Sequence, residues 1–319
     1  MNSEEASELC REAVMYMTGT GGYERRPDEA VSIFSRVADE GFPQGIFGLA
    51  EVLMVGYGVE QDQKAAKDLY EKSASMGHVE SCFRLGMIYT GDYGFPADPE
   101  ASYRNFLIAA EAGMIEAYAY IAEYSFNGYG TERDMSAAFK WFLRSAEAND
   151  AVSMFKAGYM YEEGVGTEKD PDKASEMFRR SAEAGLPEAQ MKMADLSFSG
   201  NVPGGEEEAF KWYRMAADAG LTAAKVSLGT MYYEGRGVQK NMEKAYEMYS
   251  SASEDGDPDA SFLKARMEIS GAGTDCDPDK GVRSMSKAAE QGSEEAKQVL
   301  EQLRRAQNTQ FVRIDGDGE

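Results

Sequence analysis

A glycine, replaced once by an asparagine, closes a segment of this chain about every 36 positions. Gly41, Gly77, Gly113, Asn149, Gly185, Gly220, Gly256 and Gly292 follow one another at steps of 36, with a single step of 35. The segments they close share one shape, as in 66–77 (AKDLYEKSASMG), 174–185 (ASEMFRRSAEAG) and 209–220 (AFKWYRMAADAG). A period of this size marks a supersecondary unit that cannot bury its apolar face alone and does so by stacking on its neighbours. The 319 residues, whose length alone would suggest two globular domains, are therefore expected to form one elongated array.

The closing segment reads as a helix. Apolar or small residues recur at steps 0, 3, 4 and 8 from its first small residue: Ala138, Trp141, Phe142, Ala146; Ala174, Met177, Phe178, Ala182; Ala209, Trp212, Tyr213, Ala217. That spacing gathers them on one face of a 3.6-residue helix and predicts that all four steps are core. The helix ends where glycine adopts positive φ, and Asn149 is the next most tolerant residue there. Pro27, Pro99, Pro171 and Pro278 stand just ahead of these second helices, where a missing N–H costs nothing.

A first helix precedes each one. It shows in 228–238 (LGTMYYEGRGV) and is echoed by 85–89 (LGMIY) and 121–130 (IAEYSFNGYG). The Leu-Gly or Leu-Ala pair lets a neighbouring helix lie against bare backbone, and the Gly-x-Gly turns the chain into the second helix. From the first loop glycine to the second helix the count is 10 in most units, 9 from Gly200 and 11 from Gly19, whereas the second-helix length is constant. Variation confined to one connection is expected of a surface loop between packed helices.

The combined pattern, Ala-x3-Leu-Gly-x2-Tyr-x2-Gly-x-Gly-Val followed by Lys-Ala-x2-Trp/Tyr-Tyr/Phe-x2-Ala-Ala-x2-Gly, resembles the Sel-one-like repeat, a relative of the tetratricopeptide repeat. The resemblance implies an all-α fold, a right-handed superhelical α/α solenoid of eight helix-turn-helix repeats. Their bounds are expected near 5–41, 42–77, 78–113, 114–149, 150–185, 186–220, 221–256 and 257–292. Residues 293–305 read as a C-terminal capping helix and 306–319 as a flexible acidic tail. The end repeats drift, with Glu12 and Lys264 at the Leu position and Gly281 at the start of a second helix, as caps facing water do.

Composition narrows the partners. The 33 basic and 56 acidic residues leave a net charge of −23, spread through every repeat, which repels nucleic acid and anionic membranes and favours a monomer. No basic leader with an apolar run opens the chain as given, and no stretch is long and apolar enough to span a membrane. Cys10, Cys82 and Cys276 are odd in number and lack the paired spacing seen in exported cysteine-rich relatives, which points to the cytoplasm.

Chemistry is sparse. His78, the one histidine, sits just past a helix-closing glycine and reads as solvated or as a helix N-terminal residue. The glycines at 19, 21 and 22 imitate a phosphate loop without the Lys that would complete it. Asp275-x-Asp277-x-Asp279 opens like a calcium loop but has Lys280 at the sixth position and Ser286 at the twelfth. No catalytic residue, cofactor or metal is expected.

The resemblance therefore implies a non-enzymatic scaffold or adaptor that holds a protein or peptide on its concave face; the alternative is a hydrolase of the β-lactamase-like type associated with cysteine-rich relatives. In the tetratricopeptide architecture, first-helix residues around the Leu-Gly pair face the concave side. Those just before the Leu position are Gly48, Arg84, Tyr120, Lys156, Lys192, Ser227 and Leu263, and those two past it are Glu51, Met87, Glu123, Tyr159, Asp195, Thr230 and Arg266. Arg84, Tyr120, Glu123, Lys156, Tyr159, Lys192 and Asp195 are thus the candidate groove, suited to an acidic segment or a C-terminal carboxylate. The other reading of these cations, as helix residues that neutralise nearby acids, stays open.

Overall fold

The structure, a computed structural model, describes residues 1–314. It divides into two compact units, Met1–Asp170 and the remainder from Pro171, a boundary that falls inside the fifth repeat. Seventeen α-helices and no strand are present among the described residues.

The first unit holds α1 (Ser3–Thr18), α2 (Pro27–Asp39), α3 (Pro43–Val55), α4 (Gln63–Ser75), α5 (Val79–Ile88), α6 (Pro99–Glu111), α7 (Glu116–Asn127), α8 (Met135–Glu147) and α9 (Ala151–Glu163). The second holds α10 (Pro171–Glu183), α11 (Pro187–Phe198), α12 (Gly205–Asp218), α13 (Thr222–Glu234), α14 (Met242–Glu254), α15 (Pro258–Ser270), α16 (Pro278–Gln291) and α17 (Glu294–Ile314). Odd-numbered helices are the first of each repeat and even-numbered ones the second. Within each unit every helix packs against the next, the one-dimensional contact pattern of stacked repeats.

The second-helix core is narrower than the spacing predicts. Steps 0, 4 and 8 are buried in Ala138, Phe142 and Ala146, and likewise in Ala174, Phe178 and Ala182. At step 3, however, Trp141, Met177, Trp212 and Met248 are only half-buried. At about 100° per residue step 3 lies about 60° off the step-0 direction, on the opposite side from steps 4 and 8. Step 7 lies only about 20° off and is buried throughout, as Ser73, Ser145, Ser181, Ala216 and Ala252. Small residues fill that position because helices approach closely there.

Two features hold the repeats in register. The side chains of Asp62, Asp98, Asp134, Asn241 and Asp277 cap second helices, each accepting the backbone N–H three residues on at 2.8–3.0 Å. Asp277, the middle residue of the calcium-like triplet, is therefore a helix cap. The Gly-x-Gly loop does more than turn the chain. Its first glycine ends the first helix with φ near +70°, as at Gly56, Gly128 and Gly235. Its second abuts the backbone of the preceding repeat: a Cβ on Gly130, Gly166, Gly237 or Gly273 would lie 2.0–2.1 Å from the carbonyl oxygen of Pro99, Met135, Glu206 or Met242. Those carbonyls belong to the first turn of the preceding second helix.

Asn149, with φ +67°, is the one non-glycine residue with positive φ among the described residues. α17 continues past 305 to Ile314, through a stretch that holds neither Gly nor Pro. Residues 315–319 of the expected tail lie outside the described residues.

Candidate functional site

The candidate groove residues stand on the odd-numbered helices, at the joints between repeats. In the first unit, at three of the joints, the residue before the Leu position lies against the step-4 aromatic ring of the preceding second helix. Tyr120 stacks on Phe106 with ring centroids 4.5 Å apart and planes 12° from parallel. The Lys156 ammonium sits 5.5 Å from the centre of the Phe142 ring. Gly48 holds the equivalent place against Phe34, where a Cβ would come within 2.2 Å of the ring. In the second unit, the Lys192 ammonium lies 5.2 Å from the centre of Phe178.

The residue two past the Leu position pairs across the same joint. Glu51 accepts two hydrogen bonds from Arg84, Nε at 2.8 Å and Nη2 at 2.9 Å, and a third from the Tyr70 hydroxyl at 2.5 Å. Glu123 pairs with Lys156 across an identical sequence separation of 33 residues. Arg84 and Lys156 thus neutralise acids of the preceding repeat. Burial works against the Arg84 guanidinium, but Glu51 outweighs it and holds the group more firmly protonated than usual. Burial, reinforced by Glu51, pushes the Tyr70 phenol far above its ordinary value.

In the second unit, the Tyr213 hydroxyl donates to Asp195 Oδ1 at 2.5 Å, and burial first, then Asp195, raises that phenol well above the usual range. Tyr159 is 49% exposed and Asp195 is also exposed. Tyr120, Glu123, Lys156 and Tyr159 fall in the first compact unit together with Arg84, while Lys192 and Asp195 fall in the second.

Sequence reasoning missed the tyrosines. Tyr70, Tyr213 and Tyr249 read as core aromatics, interchangeable with Phe106 or Phe178. Their rings are core, but each hydroxyl meets the side chain two past the Leu position, namely Glu51, Asp195 and Thr230. A signal was present in the chain itself. Where the step-4 residue is Tyr, that position is polar; repeats with Phe106 and Phe178 place Met87 and Tyr159 there, and only the repeat with Phe142 keeps an acid, Glu123, which Lys156 meets instead.

Cavities open beside these columns. One of about 190 Å³ is lined by Glu51, Tyr70, Arg84, Met87 and Tyr93, and another of about 400 Å³ by Cys10, Phe34, Phe47, Gly48, Glu51 and His78. His78 stands at the N-terminus of α5, one of the two expected places, without a side-chain capping bond, and it is half-buried rather than solvated. Its ring packs on Phe47 at 4.8 Å, and Nδ1 lies 3.1 Å from Ser81 Oγ. Burial lowers its pKa against the opposing pull of Glu80. Ser81 is fully buried, so no substrate carbonyl can reach this Ser–His contact. The cysteines stand apart, Cys10 half-buried, Cys82 buried and Cys276 exposed. Among the described residues no group of three or more His, Cys, Asp or Glu could hold a metal ion, and no helix is long and apolar enough to cross a membrane.

The Sel1 repeat matches this chain eight times, at 7–42, 43–78, 79–114, 115–150, 151–186, 187–221, 222–257 and 267–293. The chain belongs to the Sel1 repeat family. Its fold is an all-α repeat solenoid. Among solved structures it is similar to c5321, a protective antigen of uropathogenic Escherichia coli strains with an SLR fold, at 29% identity and a TM-score of 0.79. That match covers 91% of this chain but only 62% of the antigen. A Sel1 repeat protein from Oxalobacter formigenes shares the fold at 24% identity and a TM-score of 0.70, with 94% of this chain and 87% of that one covered. No curated protein matches it. Sel1 repeat proteins are in general protein-interaction scaffolds, and typical relatives are non-enzymatic.

Proposed function

We propose that this Sel1 repeat protein is a monomeric, non-enzymatic scaffold of a reducing compartment that binds a polypeptide partner on the face built by its first helices. One observation carries the reading. The columns flanking the Leu position place the half-exposed Glu51–Arg84 pair beside mostly apolar cavities, and a concave apolar surface with a few fixed polar groups is the usual form of a binding site. In the first unit the contact residues are Arg84, Tyr120, Glu123, Lys156 and Tyr159; Lys192 and Asp195 carry the same columns in the second. Glu51–Arg84 offers a donor and an acceptor together, which fixes the register of a peptide backbone better than a lone charge does.

A charge swap tests it. Arg84→Glu alone sets two carboxylates against each other and weakens the joint; Glu51→Arg with Arg84→Glu restores the pair with its polarity reversed. The swap, made with Tyr70→Phe because Glu51 also accepts the Tyr70 hydroxyl, should keep the melting temperature of Tyr70→Phe alone and lose the partner that the parent retains when crosslinked through Met87. Crosslinks that form from the outer residue Ile108, 46% exposed on α6, but not from Met87 would refute the first-helix face.

A further inference from the structure

The charge pairs formed at two of the joints have no counterpart at the last repeat, where the sign is inverted. Where Glu51 and Glu123 meet Arg84 and Lys156, 33 residues on, the eighth repeat has Arg266, and the residue 33 further on is Val299 of α17. The sign at the acid's place is reversed, and its partner's place is apolar. Arg266 is exposed, its guanidinium lies 5.7 Å from the centre of the Phe262 ring, and no carboxylate is within ion-pairing distance of it among the described residues.

Arg266 borders a cavity of about 480 Å³ lying wholly within the second unit. Its wall is apolar: Tyr249, Phe262, Leu263, Met267, Met285 and Val299. Polar groups in the wall are largely committed, the Tyr249 hydroxyl to Thr230 at 3.0 Å and the Ser270 hydroxyl to the Arg266 carbonyl at 3.0 Å. No acid lines it. The cavity therefore offers an apolar cup, one uncommitted guanidinium and the Tyr233 hydroxyl.

We propose that this cavity takes the chain-terminal residue of a partner polypeptide, with its apolar side chain in the cup and its α-carboxylate on Arg266. A terminal residue carries both groups on one Cα. An internal Asp or Glu would have to run backbone in both directions past an apolar wall, leaving peptide N–H and C=O groups unpaired. The proposal rests on the scaffold reading only in taking a polypeptide as ligand, and it uses residues that the charge swap at Glu51 and Arg84 does not touch.

Fluorescence anisotropy of the full chain with labelled decapeptides tests it. The peptides end in Leu with a free carboxylate, in Leu with an amidated terminus, or in Ser with a free carboxylate. The first should bind; amidation, or Arg266→Gln, should weaken it about tenfold or more, the loss of a charge-assisted hydrogen bond. Arg266→Lys should keep part of the affinity. Val299→Glu, which gives Arg266 an acid beside it in the cavity wall, should act like Arg266→Gln, with circular dichroism unchanged in both. Equal binding of the amidated or the Ser-ended peptide, or no binding of any, overturns the proposal and leaves the charge-swap result to decide the scaffold reading. Binding that appears only after residues 306–319 are removed assigns the cavity to the chain's own end and also overturns it.

Discussion

Alanine at Gly130 separates two roles that glycine plays in these loops. Gly113 and Gly130 both have positive φ, +92° and +67°. A Cβ on Gly113 meets nothing within 4 Å, whereas on Gly130 it would stand 2.0 Å from the Pro99 carbonyl oxygen and 2.3 Å from its carbon. Gly113→Ala should therefore cost only the left-handed backbone, about 1–2 kcal/mol. Gly113→Asn should cost less, because Asn149 occupies the equivalent position in the next repeat. Gly130→Ala incurs the same backbone cost and forces the loop off the first turn of α6 by about an ångström. That obstacle is main chain in a helix and cannot swing aside, so overpacking should add about 1–3 kcal/mol. Urea denaturation followed by far-UV circular dichroism, with the m-value checked for loss of cooperativity, reads the difference. If Gly130→Ala and Gly113→Ala agree within about 0.5 kcal/mol, the loop does not bear on the preceding repeat and the register argument fails.

Three further outcomes are expected. Phe142→Ala, at a site 1% exposed, should cost about 3–5 kcal/mol, and Trp212→Ala should fall below that range because its half-buried site opens to water instead of leaving a closed cavity; thermal melts rank the two. Glu268 is buried; burial alone would raise its pKa, but hydrogen bonds from Ser284 (2.6 Å), Lys280 and Tyr246 (2.9 Å) outweigh that and hold the carboxyl below its usual value. Its stabilisation is thus present above the ordinary glutamate pKa and lost as pH falls through the depressed folded value, so the parent's stability should drop more steeply under acid than that of Glu268→Gln; parallel pH profiles would contradict this. Thiol labelling of denatured, unreduced protein should count three, from Cys10, Cys82 and Cys276, and a count of one would reveal a disulfide.

The sequence by itself determined the period, the helix pair and the points where each helix ends, because all three are local. Gly113 and Asn149 terminate helices through their own φ, and Pro99 and Pro278 start them through their own ring. It also determined which column would stand at the joints, since a 36-residue step carries every first helix to the same place on its neighbour. What a side chain does at that joint was not legible, because it depends on atoms one repeat away. Arg84 and Lys156 read as cations free for a partner until Glu51 and Glu123 were seen to reach them. Trp212 read as core until the close helix approach at step 7 turned its face outward. The second glycines of four loops, Gly130, Gly166, Gly237 and Gly273, read as turn residues, and only packing showed them pressed against the preceding backbone. Arg266 shows the same division. Its sign was in the sequence, but that it faces Val299 across an apolar cavity, with no acid to pair with among the described residues, was decided by the stack.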